Sequence, residues 1–527
     1  MNETHLNTDC VTTSNNEYVE SVSDSPYPVI EEIPTQMNGN NTDVDRRSIW
    51  RINKNMVLSK VAYFFAFVPI GLMVLFNTVF LISLGLSTQQ SGLINGLRTV
   101  SRIFGAPLWG WVADRTKGHR AIMMILCLGS IIFTLPQPWI AYWINEPLYK
   151  EHVPFQSQGN SASRMQNLSM ANLSTSSTYK SAKVTKDSSE LLFGTMLTLN
   201  LLSSFFEGPI IGFLATITMQ KVSQNPFKCS FGRQRAFGAI GWGLSAFAAG
   251  YISDVLRFPN VSPYTPVFIL YTSGMTCFMV AAYFYFRDSS ALMTSTDDST
   301  QSKGTAWKSL MKTMKMSSVI FFFVVVLLSG VSSGIYDGYL LVHLKDLDSS
   351  KTIMGMSRTA ANVTGTVFFF FSKKVMKLLG GEWNAMTVSS AVYSLRFLCF
   401  SLMDKPIYVI PIQFSNCFAF SMSWAAFVQH TNNISDTETK TTLYGIVNSL
   451  HFGLGPLLAN IVGGIFYQRY GSVALFQGCS ILCGSLMMAI IFYLSLNKFN
   501  QKRKDISAVV VENTWIDNKS NNENSTD

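Results

Sequence analysis

The chain has 527 residues, of which 48% are hydrophobic and only 13% charged, about half the charge of an ordinary soluble domain. So few charges cannot cover a soluble surface of this size, whereas the hydrophobic residues suffice for about a dozen bilayer spans of ~20 residues each. The net charge of +9 does not point to nucleic acid, because the basic residues lie in short loops between apolar runs.

Residues 1–45 hold acidic and small polar side chains and no Lys or Arg. They bury too little to offset the entropy of ordering, and read as a disordered acidic tail. This polar start is not expected to be a cleavable leader, and the first span is expected to direct insertion. A basic stretch follows, with Arg46, Arg47, Arg51, Lys54 and Lys60. Apolar runs of helical length then occupy 57–84, 92–112, 121–143, 191–218, 236–256 and 267–286. After a polar interval come 319–344, 353–372, 385–402, 407–427, 444–466 and 473–496. A barrel would show short alternating segments instead. The predicted fold is an all-α membrane protein with twelve transmembrane helices in two six-helix bundles. The first bundle is 46–286, with a long loop at 144–190; a linker at 287–318 leads to the second, 319–496, and a tail at 497–527.

Sidedness follows from Lys and Arg counted loop by loop: 26 fall on the side of the N-terminus and 10 on the other. By the positive-inside rule both termini are cytoplasmic. The sequons at Asn167 and Asn172 lie in the 144–190 loop, which this topology places outside as a glycosylated segment. In the linker, Trp307, Leu310, Met311 and Met314 interleave with Lys308, Lys312 and Lys315, the pattern of a short interfacial helix. The eight cysteines show no CxxC spacing, so neither a metal site nor a disulfide framework is expected. No GxxxxGK[ST] or HExxH occurs, and no cofactor or enzymatic role is expected.

Between the second and third runs stands Gly110-Trp-Val-Ala-Asp114-Arg115-Thr-Lys-Gly118-His-Arg120. It resembles the signature loop of the major facilitator superfamily. A weaker counterpart, Ser372-Lys-Lys-Val-Met-Lys377-Leu-Leu-Gly380, follows the eighth run, as parallel repeats would place it. The segments 231–243 and 337–347, with Phe368-Phe-Phe-Phe-Ser372 and Ser449-Leu-His451-Phe-Gly-Leu-Gly455, resemble the lactose-permease-like branch. Within it they are most similar to the major facilitator superfamily domain-containing protein 6 group. The resemblance implies alternating access, with Gly110, Asp114, Arg115, Gly118 and Arg120 forming a cytoplasmic gate. It also implies that Arg235 and Trp242 contact the solute, and that Asp337 and Arg396 pair in a network linking proton and substrate movement. The carboxylates that would read a galactoside are absent: Thr216, Asn362 and Gln413 stand near those positions.

A charge at the bilayer centre costs about 2.5–3.5 kcal/mol on insertion scales, so charges inside apolar runs are functional candidates. Asn95, Arg98 and Arg102 share one face of the second run. Glu207, in Phe206-Glu207-Gly208-Pro209, is their nearest carboxylate, and Pro209 is expected to break the helix there. Asn448 and His451, spaced i,i+3, are expected to line the same cavity. Asp254 reads as solvated near a span end. Gly330, Gly334 and Gly338, four residues apart, read as a helix-packing stripe. The expectation is a monomeric, multi-pass plasma-membrane transporter, a symporter if a proton is the second partner. Its other partners are a small polar or anionic solute and the lipid bilayer. The competing expectation is a transporter-shaped receptor or scaffold that moves nothing.

Overall fold

The computed structural model describes residues 56–151, 186–223, 231–256, 258, 261–287, 311–436 and 439–523. The acidic tail, most of the 144–190 loop with Asn167 and Asn172, and most of the 287–318 linker lie outside the described residues.

Helices occur at each of the twelve apolar runs, and no strand is found among the described residues. The first half comprises α1 (Val57–Ser83), α2 (Thr88–Thr116), α3 (His119–Thr134) with its continuation α4 (Gln137–Glu151), and α5 (Lys186–Glu207) with α6 (Ile210–Ser223). It is completed by α7 (Phe231–Val255) and α8 (Thr265–Tyr285). The second half comprises α9 (Ser317–Asp346), α10 (Lys351–Phe369), the short α11 (Ser372–Leu378) and α12 (Glu382–Ser401). The tenth run is broken into α13 (Val409–Gln413), a π-helical turn at Cys417–Ser421 and α14 (Met422–Ile434). The eleventh begins as α15 (Lys440–Ser449), passes through a second π-helical turn at Leu450–Leu454, and joins α16 (Gly455–Glu523). Gly471, with φ of +82°, breaks α16 between the last two apolar runs, a conformation that glycine adopts without steric cost. Seven of the helical stretches are long and apolar enough to cross a membrane.

Local chemistry sets several of these boundaries. Ser87 caps α2 through a reciprocal capping box with Gln90, and the Ser350 hydroxyl accepts from the Ile353 amide at the start of α10. Glu207 ends α5 and Ile210 starts α6, the break expected from Pro209, which has no N–H to give. The gap has a second use, because a Cβ on Gly208 would lie 3.0 Å from the Arg102 Cα. The helix-packing stripe is also present. Cβ atoms on Gly330, Gly334 and Gly338 would come within 2.6 Å of the His451 carbonyl, 2.7 Å of the Pro456 Cα and 2.9 Å of Asn460 Oδ1, so α9 packs closely on the second π-helical turn and the start of α16.

The two halves meet along α7 with α10, α2 with α16, and α1 with α9. Hydrogen bonds tie these seams from mid-helix to the end opposite the Asp114 loop. Asn362 Nδ2 donates to the Ala239 carbonyl at 2.5 Å and Thr359 Oγ1 to the Gly243 carbonyl at 2.7 Å. Thr88 Oγ1 donates to the Gly464 carbonyl at 3.4 Å and the Gln89 amide to Gln468 Oε1 at 3.2 Å. Asp254 is not free in solvent as its position suggested. Its carboxylate crosses from α7 to the first turn of α10, accepting from the Thr352 amide and hydroxyl at 2.7 Å each and from the Lys351 amide at 3.2 Å. It completes the unsatisfied donors of a helix N-terminus that belongs to the other half.

Candidate functional site

The stripe on α2 meets the break between α5 and α6 inside the first half. Arg98 Nη2 donates to Glu207 Oε2 and Arg102 Nη2 to Glu207 Oε1, both at 2.8 Å. Arg98 and Glu207 are buried, while the Arg102 side chain keeps 27% of its surface open. One carboxylate therefore serves two guanidiniums, and the cluster holds one surplus positive charge. A neutral network continues it: Asn77 Nδ2 donates to Asn95 Oδ1 at 2.8 Å and to Asn200 Oδ1 at 3.0 Å. Asn95 Nδ2 in turn donates to Thr78 Oγ1 at 3.0 Å, while the buried Asn77 Oδ1 has no donor among the described residues.

The second half holds a matching cluster with a partner that the sequence reading missed. Asp337 does not pair with Arg396. Its Oδ1 accepts from Arg358 Nη1 at 3.0 Å, because α10 follows α9 after a four-residue turn and lies directly beside it. Arg358 also donates to the carbonyls of Tyr336 at 2.8 Å and Asp337 at 3.1 Å. Arg396 on α12 is held instead by neutral oxygens, donating to Asn416 Oδ1 at 2.9 Å and to Gln413 Oε1. The two guanidiniums lie over the ring of Tyr336, at 4.1 Å for Arg358 and 4.2 Å for Arg396. Here too one carboxylate accompanies two arginines. From Ser332 to Leu344 Asp337 is the one residue that is not buried, its side chain 38% exposed about two-thirds of the way along α9. The clue to Arg358 was the one used for Arg98, a charge inside an apolar run.

Other expected residues divide. The half-buried Trp242 lies against Gly71 of α1, where a Cβ would stand 3.0 Å from the indole, with the Phe67 ring centred 6.4 Å away. The Arg235 guanidinium lies 5.6 Å from the same Phe67 ring. Asn448 and His451 do not share a lining: Asn448 is exposed and His451 is fully buried. A π-helical turn begins at Leu450, between the two residues, so the 3.6-residue spacing behind the i,i+3 expectation does not hold through His451. Its imidazole packs among Phe420, Trp424, Phe427 and Phe452, with ring centroids 6.0, 5.2, 5.9 and 4.6 Å away.

The signature loop touches its own half. The Asp114 side chain is 81% exposed and lies 3.5 Å from His119 Nε2. Arg115 lies over Trp111 at 5.4 Å and Arg120 over Tyr283 at 3.5 Å. Gly110 has open space where a Cβ would be, and Gly118 meets only Thr116.

The MFS_1 like family model matches residues 56–478, the whole of both helical halves up to the last span. The chain belongs to this family. Among curated proteins it is similar to major facilitator superfamily domain-containing protein 6-like protein B of Xenopus laevis, 25% identical over 32% of this chain. The Homo sapiens 6-like protein is 20% identical over 36% of it. These matches span 27% and 32% of the relatives' own lengths. Among solved structures the nucleoside transporter NupG aligns with a TM-score of 0.61 at 14% identity, covering 83% of this chain and 98% of that one. The inward open xylose transporter XylE from E. coli gives 0.52 at 11% identity, covering 82% and 94%. The chain is a multi-pass membrane protein with the fold of these transporters.

Proposed function

We propose that the chain is a secondary transporter that carries a small anionic or polar organic solute by alternating access. The carrying observation is the pair of buried clusters, Arg98–Glu207–Arg102 and Arg358–Asp337 with Arg396, each with two guanidiniums to one carboxylate. Each surplus charge costs about 2.5–3.5 kcal/mol at the bilayer centre, and a negatively charged solute offsets it. A purely structural bridge would carry equal charges and needs no surplus. Arg102 and Asp337, the part-exposed members of the two clusters, are the groups such a solute meets first.

With both termini cytoplasmic and the protein in the plasma membrane, the Asp114 loop lies on the cytoplasmic side. The seams closed by Asp254, Thr359 and Asn362 then lie from mid-membrane to the outside, which supports reading the arrangement as inward-open. In the outward-open state Asp114, Arg115 and Arg120 exchange their present neighbours for the second half. Glu207 and Asp337 are the groups able to exchange a proton if transport is proton-coupled.

Uptake of a solute panel into proteoliposomes, by wild type and Arg98→Ala, tests this reading. Uptake of organic anions that falls at least tenfold in the variant supports it, and dependence on an imposed pH gradient assigns the proton. A silent panel with folded protein overturns it in favour of a receptor or scaffold.

A further inference from the structure

The second half carries a counterpart of the signature loop with a different chemistry. In the first half α2 runs unbroken to Thr116, whereas α10 stops at Phe369 and the separate α11 begins at Ser372. α2 and α10 each start at the seams of Thr88 and Thr352, so the loop and α11 share the far end of the molecule. With Gly118 set against Gly380, Asp114 corresponds to Met376, Arg115 to Lys377 and Thr116 to Leu378, and no carboxylate stands between Ser372 and Gly380. Met376 joins the apolar core of the second half at 7% exposure. Lys373 and Lys377 stand one turn apart on the opposite face, with Lys374 and Leu378 beside them. All four are exposed, Leu378 to 86%, and Phe371 at the helix start to 54%. In the first half Arg115 and Arg120 lie over aromatic rings of their own chain at this end, and Lys221 lies over Tyr285 at 4.0 Å. The three α11 lysines meet no acid, ring or acceptor among the described residues. Glu382, the nearest carboxylate along the chain, is taken by Asn433 Nδ2 at 2.7 Å and His430 Nδ1 at 3.4 Å. Water would solvate the ammoniums but not a leucine and a phenylalanine set among them. A bilayer surface takes both, cations in the phosphate layer and apolar side chains beneath it.

We infer that α11 is a docking face for anionic phospholipid headgroups, with Lys373, Lys374 and Lys377 on the phosphates and Leu378 and Phe371 in the acyl layer. With both termini cytoplasmic, this is the leaflet that holds anionic lipid. The inference goes beyond the proposed function, because it needs the spans and not transport.

The test uses the full-length protein purified in a neutral detergent, with thermal unfolding followed as short-chain phosphatidylserine or, separately, phosphatidylcholine of the same chain length is added. The expected result is a saturable rise of a few degrees in Tm with phosphatidylserine alone, as selective binding to the folded state requires. Raising the salt should weaken it. The combined variant Lys373→Gln, Lys374→Gln and Lys377→Gln should move the phosphatidylserine midpoint up at least tenfold, since each cation at an anionic surface is worth about fivefold. Leu378→Ser keeps the charge and should also raise the midpoint, at least twofold. Lys405→Gln with Arg469→Gln, exposed cations at the opposite end, should leave it unchanged. No rise in wild type, equal rises with both lipids, or an unchanged midpoint in either α11 variant overturns the face. An equal shift in the opposite-end control overturns it too, and the same rise with tail-less glycerophosphoserine assigns a free phosphate in its place. The outcome is separable from the transport assay: a lipid effect without uptake keeps the face and removes the carrier, and uptake without a lipid effect does the reverse.

Discussion

Asp254→Ala should release the end of the molecule that the seams now close. The carboxylate stands at the first turn of α10 yet is carried by α7, so it is a helix cap shared between two halves that must separate. Loss of an N-cap costs about 0.5–2 kcal/mol. The favourable charge at the helix N-terminus adds about 0.3–1 kcal/mol. The contact to Lys351 Nζ at 3.3 Å is partly exposed and adds little after screening. The whole effect is about 1–3 kcal/mol, which shifts the closed-to-open ratio at that end by about five- to 150-fold. Spin labels at Leu256 and Lys405, both exposed at that end in opposite halves, report the change as a distance distribution. The variant should show a new, longer population that wild type lacks. Identical distributions would refute the argument that this carboxylate holds the seam.

Three further outcomes follow from the packing. Gly250→Ala puts a Cβ 2.2 Å from the Lys351 carbonyl, so α7 and α10 must part; overpacking of this kind costs about 1–3 kcal/mol and should lengthen the same label distance. Arg358→Met leaves the part-exposed Asp337 without its ion-pair partner, a loss below the ~3–5 kcal/mol of a fully buried pair because solvent screens the carboxylate, visible as a lowered Tm, and adding Asp337→Asn should recover most of it. His451→Phe should change Tm and uptake little, because the imidazole sits among four aromatic rings; a tenfold loss of uptake would return His451 to the solute path.

The helices and the first-half cluster were legible in the sequence because a single rule governs both: apolar length marks a span, and a charge within it must find a partner. Arg98, Arg102 and Glu207 obey it, and Pro209 marked the break that brings Glu207 to the arginines. Spacing failed where the helix departs from 3.6 residues per turn. The π-helical turn at Leu450–Leu454 has no composition to announce it, so the i,i+3 relation of Asn448 and His451 could not be corrected in advance. The partner of Asp337 failed for another reason. Two arginines, Arg358 and Arg396, stood within reach, and only the direct succession of α9 and α10 decides between them. Asp254 looked solvated because its partners, Lys351 and Thr352, lie 97 and 98 residues away along the chain.

The proposal that these clusters border a hydrated passage, reached from one side at a time, is open to chemical probing. Cysteine would replace Arg102 in one experiment and Asp337 in another, and a membrane-impermeant anionic thiosulfonate would be applied from either side of oriented vesicles. Both cysteines should react, faster from the Asp114 side in the Gly250-intact protein, and organic anions that are carried should slow the reaction. Cysteines inert from both sides at either position would show a dry, sealed interior and contradict the account.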